Sequence, residues 1–256
     1  MLRIGAISYL NTLPLTFGLR QAAQKGRISL SHAHPAELTR QLQEKALDVA
    51  LISVGALDRF PDAEIVPGLG IATSGPCRSV LLISRRPMNE LESLALDPHS
   101  HTSNRLAQLL CRRRWGCAPR AVSGTETLAG SLELADAAIR IGDKALFESI
   151  PPDCEVHDLS ELWKCETGLP FVFAVWVAQR GVLDAKLQTL LERSLDAGLN
   201  AIDRIAESYR WRGRAYPEIA REYLTHGIHY RLGADECEAL DLFLQETLEP
   251  VAEPRG

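Results

Sequence analysis

Residues 2–8 read LRIGAIS, and residues 9–15 after them read YLNTLPL. A short apolar run closed by polar positions is the pattern of a buried strand. Pro14 stands where a first helical turn tolerates proline, and Leu15, Phe17, Gly18 and Leu19 carry on into a helix. The same alternation repeats outward from there. Residues 27–33 form a second expected strand, Pro35 opens a helix with Leu38, Leu42 and Ala46 on one face, and residues 48–53 (DVALIS) form a third strand. Residues 78–84 (RSVLLIS) give a fourth. The intervening stretch carries Pro61, Pro67, Gly68, Gly70, Gly75 and Pro76 and is expected to be loop. A β-α-β-α-β unit of this kind favours a largely parallel sheet with right-handed crossovers.

A second unit follows. Residues 94–96 are a weak strand, residues 97–103 (DPHSHTS) a polar loop, and residues 104–115 a helix through Leu106, Leu109 and Leu110. Residues 137–142 (AAIRIG) are a strand, with a helix from Asp143. Residues 171–177 (FVFAVWV), the most apolar run, are expected as a central strand. Beyond Gln179 the pattern is helical only, with a stripe of Leu183, Leu187, Leu190, Leu191, Leu195, Leu199 and Ile202, then a last helix over residues 235–248. The simplest assembly is an α/β fold of two lobes, residues 1–85 with 178–256 and residues 86–177. The chain crosses near residues 84–87 and returns near 171–179. A cleft then lies between the lobes, facing the carboxyl ends of strands.

Composition limits what such a cleft can serve. The 256 residues are 46% hydrophobic and 24% charged, ordinary for a globular chain. Thirty-three acidic against 28 basic residues give a net charge of −5, which offers no long-range attraction to nucleic acid or an anionic membrane. No apolar run approaches the roughly 18 residues a bilayer span needs. The amino terminus lacks a basic-then-apolar export signal, so a soluble, cytoplasmic protein is expected. The six cysteines are scattered, without CxxC or Cys/His spacing, so reduced thiols and no metal are expected.

Polar residues directly after strands are the candidates for chemistry: Ser8, Asn11 and Thr12 after the first strand, Ser100, His101, Thr102 and Ser103 at a helix start, and Asp143 after Gly142. Ser79, with Thr73 and Ser74 before it, joins them. The unpaired N–H groups of a helix start can hold a carboxylate, so one such end per lobe would clamp a small dianion without arginine. Each residue also has a plainer reading. Ser, Thr, Asn and Asp before helices serve as caps, and a loop histidine such as His101 is more often solvated than catalytic. GxSxG and P-loop patterns are missing, and Gly68-Leu69-Gly70 does not extend to GxGxxG because position 73 is Thr.

Residues 7–15 (ISYLNTLPL) resemble the amino-terminal motif of the chorismate dehydratase family of the futalosine route to menaquinone. Residues 158–163 (DLSELW) with 167–176 (TGLPFVFAVW) are similar to its second hallmark, and Ile141-Gly142-Asp143 and the loop 100–103 resemble further blocks in the same order. The resemblance implies a two-lobed fold like that of type II periplasmic-binding proteins. It also implies a cofactor-independent loss of water from chorismate giving 3-[(1-carboxyvinyl)oxy]benzoate. A monomer or homodimer is expected. Family-like substrate contacts fall on Asn11, Ser79, Ser100, Thr102 and Ser103, and Ser8 and His101 join them as candidates. Asn11 is expected to orient the C4 hydroxyl or the developing charge, and the enolpyruvyl carboxylate to take the C3 proton, with His101 or Asp143 as the fallback base. His101 stands where the family usually has Arg, so the loop works through hydroxyl and backbone groups, or partly through imidazole charge. Two other functions fit the same fold: a cytoplasmic small-carboxylate binding protein, and the sister 1,4-dihydroxy-6-naphthoate synthase.

Overall fold

The computed structural model describes residues 1–248. β1 (Leu2–Ile7), α1 (Leu13–Gln24), β2 (Ile28–Ala33), α2 (Pro35–Gln43) and β3 (Val49–Ser53) follow in the expected order. All five residues of β3 are buried, because this strand is covered on both faces. β4 (Glu64–Thr73) falls where a loop was expected. Pro67, Gly68 and Gly70 are accommodated because the pairing of β4 with its neighbour shifts register twice, and bulges tolerate residues that a regular ladder rejects.

The second unit comprises β5 (Val80–Ser84), β6 (Ser93–Leu96), α3 (His101–Trp115), β7 (Arg120–Ser123), α4 (Leu128–Leu134), β8 (Ala137–Ile141), α5 (Gly142–Phe147), β9 (Glu155–Asp158) and α6 (Leu159–Thr167). α3 begins three residues earlier than its apolar stripe announces. The Ser100 side chain accepts a hydrogen bond from Ser103 N at 3.1 Å and caps the polar first turn. After β10 (Phe171–Ala178) come α7 (Ala185–Leu199), α8 (Ile202–Ser208), α9 (Pro217–Glu222), β11 (His229–Arg231) and α10 (Ala234–Leu248). β11 corrects the helical-only expectation for this part of the chain. Residues 249–256 of the expected first lobe lie outside the described residues.

The strands make two sheets, one ordered β11-β4-β10-β3-β1-β2 and the other β7-β6-β8-β5-β9. Each is parallel on one side and antiparallel on the other: β1 runs parallel to β2 and β3, whereas β10 runs antiparallel to β3 and β4. The expected largely parallel sheet is therefore a mixed one. β10 is central, as its apolar run demands, but in the first sheet. β5 sits in the second sheet, between β8 and β9. The crossings thus lie at residues 74–79 and 159–170 rather than near 84–87 and 171–179. Apolarity on both faces says that a strand is interior; it does not say in which sheet.

The two crossings are tied together. Asp158 caps α6 through Ser160 N and Glu161 N, and also accepts from Cys77 N at 2.9 Å and Arg78 N at 2.6 Å. Ser160 Oγ donates to Gly75 O at 2.9 Å. One apolar core runs through both lobes, from Ile4 and Leu51 to Leu82, Leu106 and Ile139. Edge-to-face contacts of Trp163, Phe171 and Phe243 join α6, β10 and α10 within it. α7 packs along α1, where Ser194 Oγ accepts from Leu19 N and donates to Leu15 O.

Candidate active site

Between the sheets lies a half-open cleft with about 470 Å³ of space between atoms, the solvent at its mouth included. Its walls bring together Asn11 from the first lobe with Ser79, Ser100, Thr102 and Ser103, which are far apart in sequence. Ile7, Ile71, Val80, Ile141 and Phe173 supply apolar surface around them. This is the arrangement the sequence pointed to: uncharged donors from two lobes around one hollow.

Four of the polar wall residues, Asn11, Ser79, Ser100 and Thr102, are held by identifiable partners. Asn11 sits in the 3-10 turn Leu10–Thr12, which links β1 to α1. Its Nδ2 donates to Tyr223 Oη at 3.1 Å, and Tyr223 Oη donates to Ser79 Oγ at 2.8 Å. Ser79 is 2% exposed. The Ser100 hydroxyl oxygen is engaged as the α3 cap, and its proton is still available to a guest. Thr102 faces the cleft but its hydroxyl is used elsewhere. It accepts from Gly55 N at 2.9 Å and lies 3.5 Å from Phe173 O, fastening the start of α3 to the first lobe. The expectation of a Thr102 hydroxyl free for substrate is corrected accordingly.

Three further expectations change. Ser8 is exposed and outside the cleft lining; its N–H bonds Ala33 O, and it is the neighbouring Tyr9 that faces in. At the end of a strand successive side chains take opposite sides, so a one-residue difference decides which enters. His101 lines a separate hollow with Pro98 and Asn104. Burial, then Arg59 and Arg105, lower its pKa below the usual imidazole value. Asp143 is buried behind the wall rather than in it. Its Oδ1 accepts from Leu10 N at 3.1 Å, joining α5 to the Asn11 turn, and its Oδ2 accepts from Tyr209 Oη at 2.5 Å at the end of α8, so both oxygens are engaged. Burial raises the Asp143 carboxyl above its ordinary value, while these two hydrogen bonds oppose the rise. Asp143 therefore positions the turn, and the expected direct role in the reaction is withdrawn.

Tyr9 and Tyr223 are the residues the sequence reading missed. Tyr9 lies in the quoted motif, but nothing local distinguishes a wall residue from a packing one. Its ring presses on Gly142, where an added Cβ would come within 3.2 Å of it while the backbone holds φ at +56°. Only glycine meets both demands. Burial, with Asp97, Asp143 and Glu126 nearby, keeps the Tyr9 phenol protonated as a donor. Beside it, His34 of the first lobe stacks on His99 of the second at 4.3 Å between ring centroids. Tyr223 has no sequence signal at all, since its approach to Asn11 spans 212 positions.

Against known proteins, residues 2–249 match a family model described as menaquinone biosynthesis. The chain is 31% identical to the chorismate dehydratase of Thermus thermophilus over 93% of its own length and 92% of the relative's. It is 26% identical to the chorismate dehydratase of Campylobacter jejuni over 94% and 95% respectively. Among solved structures it is similar to a protein from Archaeoglobus fulgidus, with a TM-score of 0.76 and 15% identity over 95% of each chain. It is also similar to the periplasmic aliphatic sulphonate binding protein SsuA from Escherichia coli, with a TM-score of 0.63 and 17% identity over 97% and 93%. The fold is thus periplasmic-binding-protein-like. Among the described residues no helix is long and apolar enough to cross a membrane.

Proposed function

We propose, starting from the fact that this chain belongs to the menaquinone-biosynthesis family, that it is a chorismate dehydratase, converting chorismate to 3-[(1-carboxyvinyl)oxy]benzoate and water. The observation that carries the reading is the meeting of Asn11, Ser79, Ser100 and Ser103 around one apolar-walled hollow. Chorismate presents two carboxylates, a C4 hydroxyl and a C3 hydrogen on a ring one elimination short of aromaticity. The driving force therefore lies in the substrate. The protein's part is to bind the dianion, hold a reactive conformer and keep water out. Nothing is oxidised or reduced, so the step calls for no electron carrier, and the enzyme is a carbon–oxygen lyase.

In this reading the hydroxyls of Ser79, Ser100 and Ser103 hold the carboxylates, with Ser100 at the positive start of α3. Asn11 orients the C4 hydroxyl. The enolpyruvyl carboxylate takes the C3 proton, the C3–H electron pair becomes part of the ring π system as the C4–O bond breaks, and the new carboxyl gives that proton to the departing C4 hydroxyl, which leaves as water. Assigning the base to the substrate agrees with the wall, where neither Asp143 nor His101 stands.

The test is purified protein incubated with chorismate, followed by ultraviolet absorbance and mass spectrometry for the loss of one water. Chorismate left intact by a folded chain that nonetheless binds it would support a small-carboxylate binder, the reading that the sulphonate-binding fold neighbour favours. Turnover of the cyclised futalosine product alone would support the sister synthase.

A further inference from the structure

Tyr223 begins a π-turn, Tyr223–Gly227, that runs directly on from α9. Such a turn re-aims the side chains around it, and these turns recur at functional sites. Here it brings a phenol, 5% exposed, behind the cleft wall and between two wall residues. Asn11 Nδ2 donates to Tyr223 Oη, and Tyr223 Oη donates to Ser79 Oγ, at 3.1 and 2.8 Å. Burial lifts the phenol's pKa far above its ordinary value, so the proton it passes toward Ser79 stays in place.

Counting donors gives the consequence. A phenol has one proton, and this one is given to Ser79. Its oxygen is then an acceptor on the other side and holds the Asn11 amide nitrogen. With one N–H of that nitrogen held by Tyr223, Oδ1 is fixed on the other side of the amide, where it accepts from Thr12 Oγ1 at 3.4 Å and keeps a second lone pair for a guest. Ser79 Oγ, having accepted, keeps its own proton to give, and it gives it only to the weak acceptor Cys77 Sγ at 3.5 Å.

We propose that Tyr223 is a positioning residue that fixes the polarity of the cleft wall, making Asn11 an acceptor for a substrate hydroxyl and Ser79 a donor to a substrate carboxylate. The inference rests on the chorismate reading above and adds to it the direction of each hydrogen bond. Without the Tyr223 hydroxyl the Asn11 amide keeps only the long 3.4 Å bond from Thr12 Oγ1, and a turned-over amide presents a donor to the hydroxyl it should accept from.

The experiment is a double-mutant cycle of Tyr223→Phe and Asn11→Ala with chorismate as substrate, alongside thermal melting. Tyr223→Phe keeps the ring, and kcat is expected to fall about tenfold with KM within about threefold, as for the loss of one hydrogen bond in the transition state. In the Asn11→Ala background the same change is expected to alter kcat by less than about twofold. Equal losses in both backgrounds, or an unchanged kcat in Tyr223→Phe, would overturn the inference. A wild-type chain that leaves chorismate untouched refutes the dehydratase reading instead. A second measurement needs neither turnover nor the Tyr223 variant. The Asn11 side-chain amide, assigned in nitrogen-15 spectra by its loss in Asn11→Ala, should exchange its hydrogens slowly in the wild-type protein. Rapid exchange, as for an amide facing the open cleft, would overturn the inference.

Discussion

Gly55→Ala tests how closely the cleft depends on contact between the lobes. Gly55 lies in the 3-10 segment Val54–Arg59 after β3, and the first turn of α3 rests on it. A Cβ at position 55 would stand 2.7 Å from both Thr102 Cα and Thr102 N and 2.9 Å from His101 C. Ordinary contact begins at 3.4 Å, so a gap of 2.7 Å must widen by at least 0.7 Å. All three atoms are backbone, so no rotamer change relieves the overlap. The start of α3 has to move, taking Ser100 and Ser103 with it and lengthening the 2.9 Å bond from Gly55 N to Thr102 Oγ1. A misplacement near 1 Å can cost about 100-fold in rate, so kcat/KM on chorismate is expected to fall by about that factor. Overpacking and the weakened bond together cost about 1–3 kcal/mol, which for a chain of this size lowers the melting temperature by roughly 2–10 °C. Assayed well below that melting temperature, a folded Gly55→Ala with kcat/KM within about threefold of wild type would refute the reasoning.

Other consequences follow from the same geometry. Asp143→Asn can accept from Leu10 N and donate to Tyr209 Oη, so turnover is expected to stay within about threefold; a loss beyond about 100-fold with unchanged melting would return Asp143 to the reaction. Its raised carboxyl pKa gives stability that is present below the ordinary value of 3.8 and is lost as pH rises through the folded value. The melting temperature of Asp143→Asn minus that of wild type should therefore climb with pH across that window, and a flat difference would count against it. His101→Ala should leave kcat/KM within about threefold and the pH–rate profile unaltered, since the imidazole stands outside the cleft; disappearance of a limb between about pH 5 and 8 would contradict this. Asp158→Ala strips acceptors from Cys77 N, Arg78 N, Ser160 and Glu161 N at the paired crossings. It should cost about 2–4 kcal/mol, seen as a melting temperature lower by roughly 5–15 °C; unchanged melting would rule that out.

Much of the first lobe was legible because its signals are local. The buried runs at β1, β3 and β10 and the proline-opened helices α1 and α2 stand within a residue or two of where periodicity puts them. β4 was hidden because its prolines and glycines are loop residues in any short window, and only its bulged pairing with β10 makes them a strand. The cleft was legible in part. Asn11 and the Ser100 cap follow strands, where a cleft is expected, and the structure brings them together. Ser8 and His101 occupy the same loops and face elsewhere, because one residue of register or a third of a helical turn separates inward from outward. For Asp143, spacing after Gly142 could not reveal that Leu10 and Tyr209 claim both oxygens.

By itself, then, the sequence determined the elements, the pairing of polar loops with strand ends, and the block order that points to chorismate. Those are properties of neighbouring residues, fixed by side-chain period and capping. The tertiary structure alone decided which sheet received β5 and β10, which hydroxyls remained for a guest, and that Tyr223 would stand behind Asn11 and Ser79. Each of those depends on hydrogen bonds and packing between segments tens to hundreds of residues apart, and such contacts leave no periodic trace in the chain.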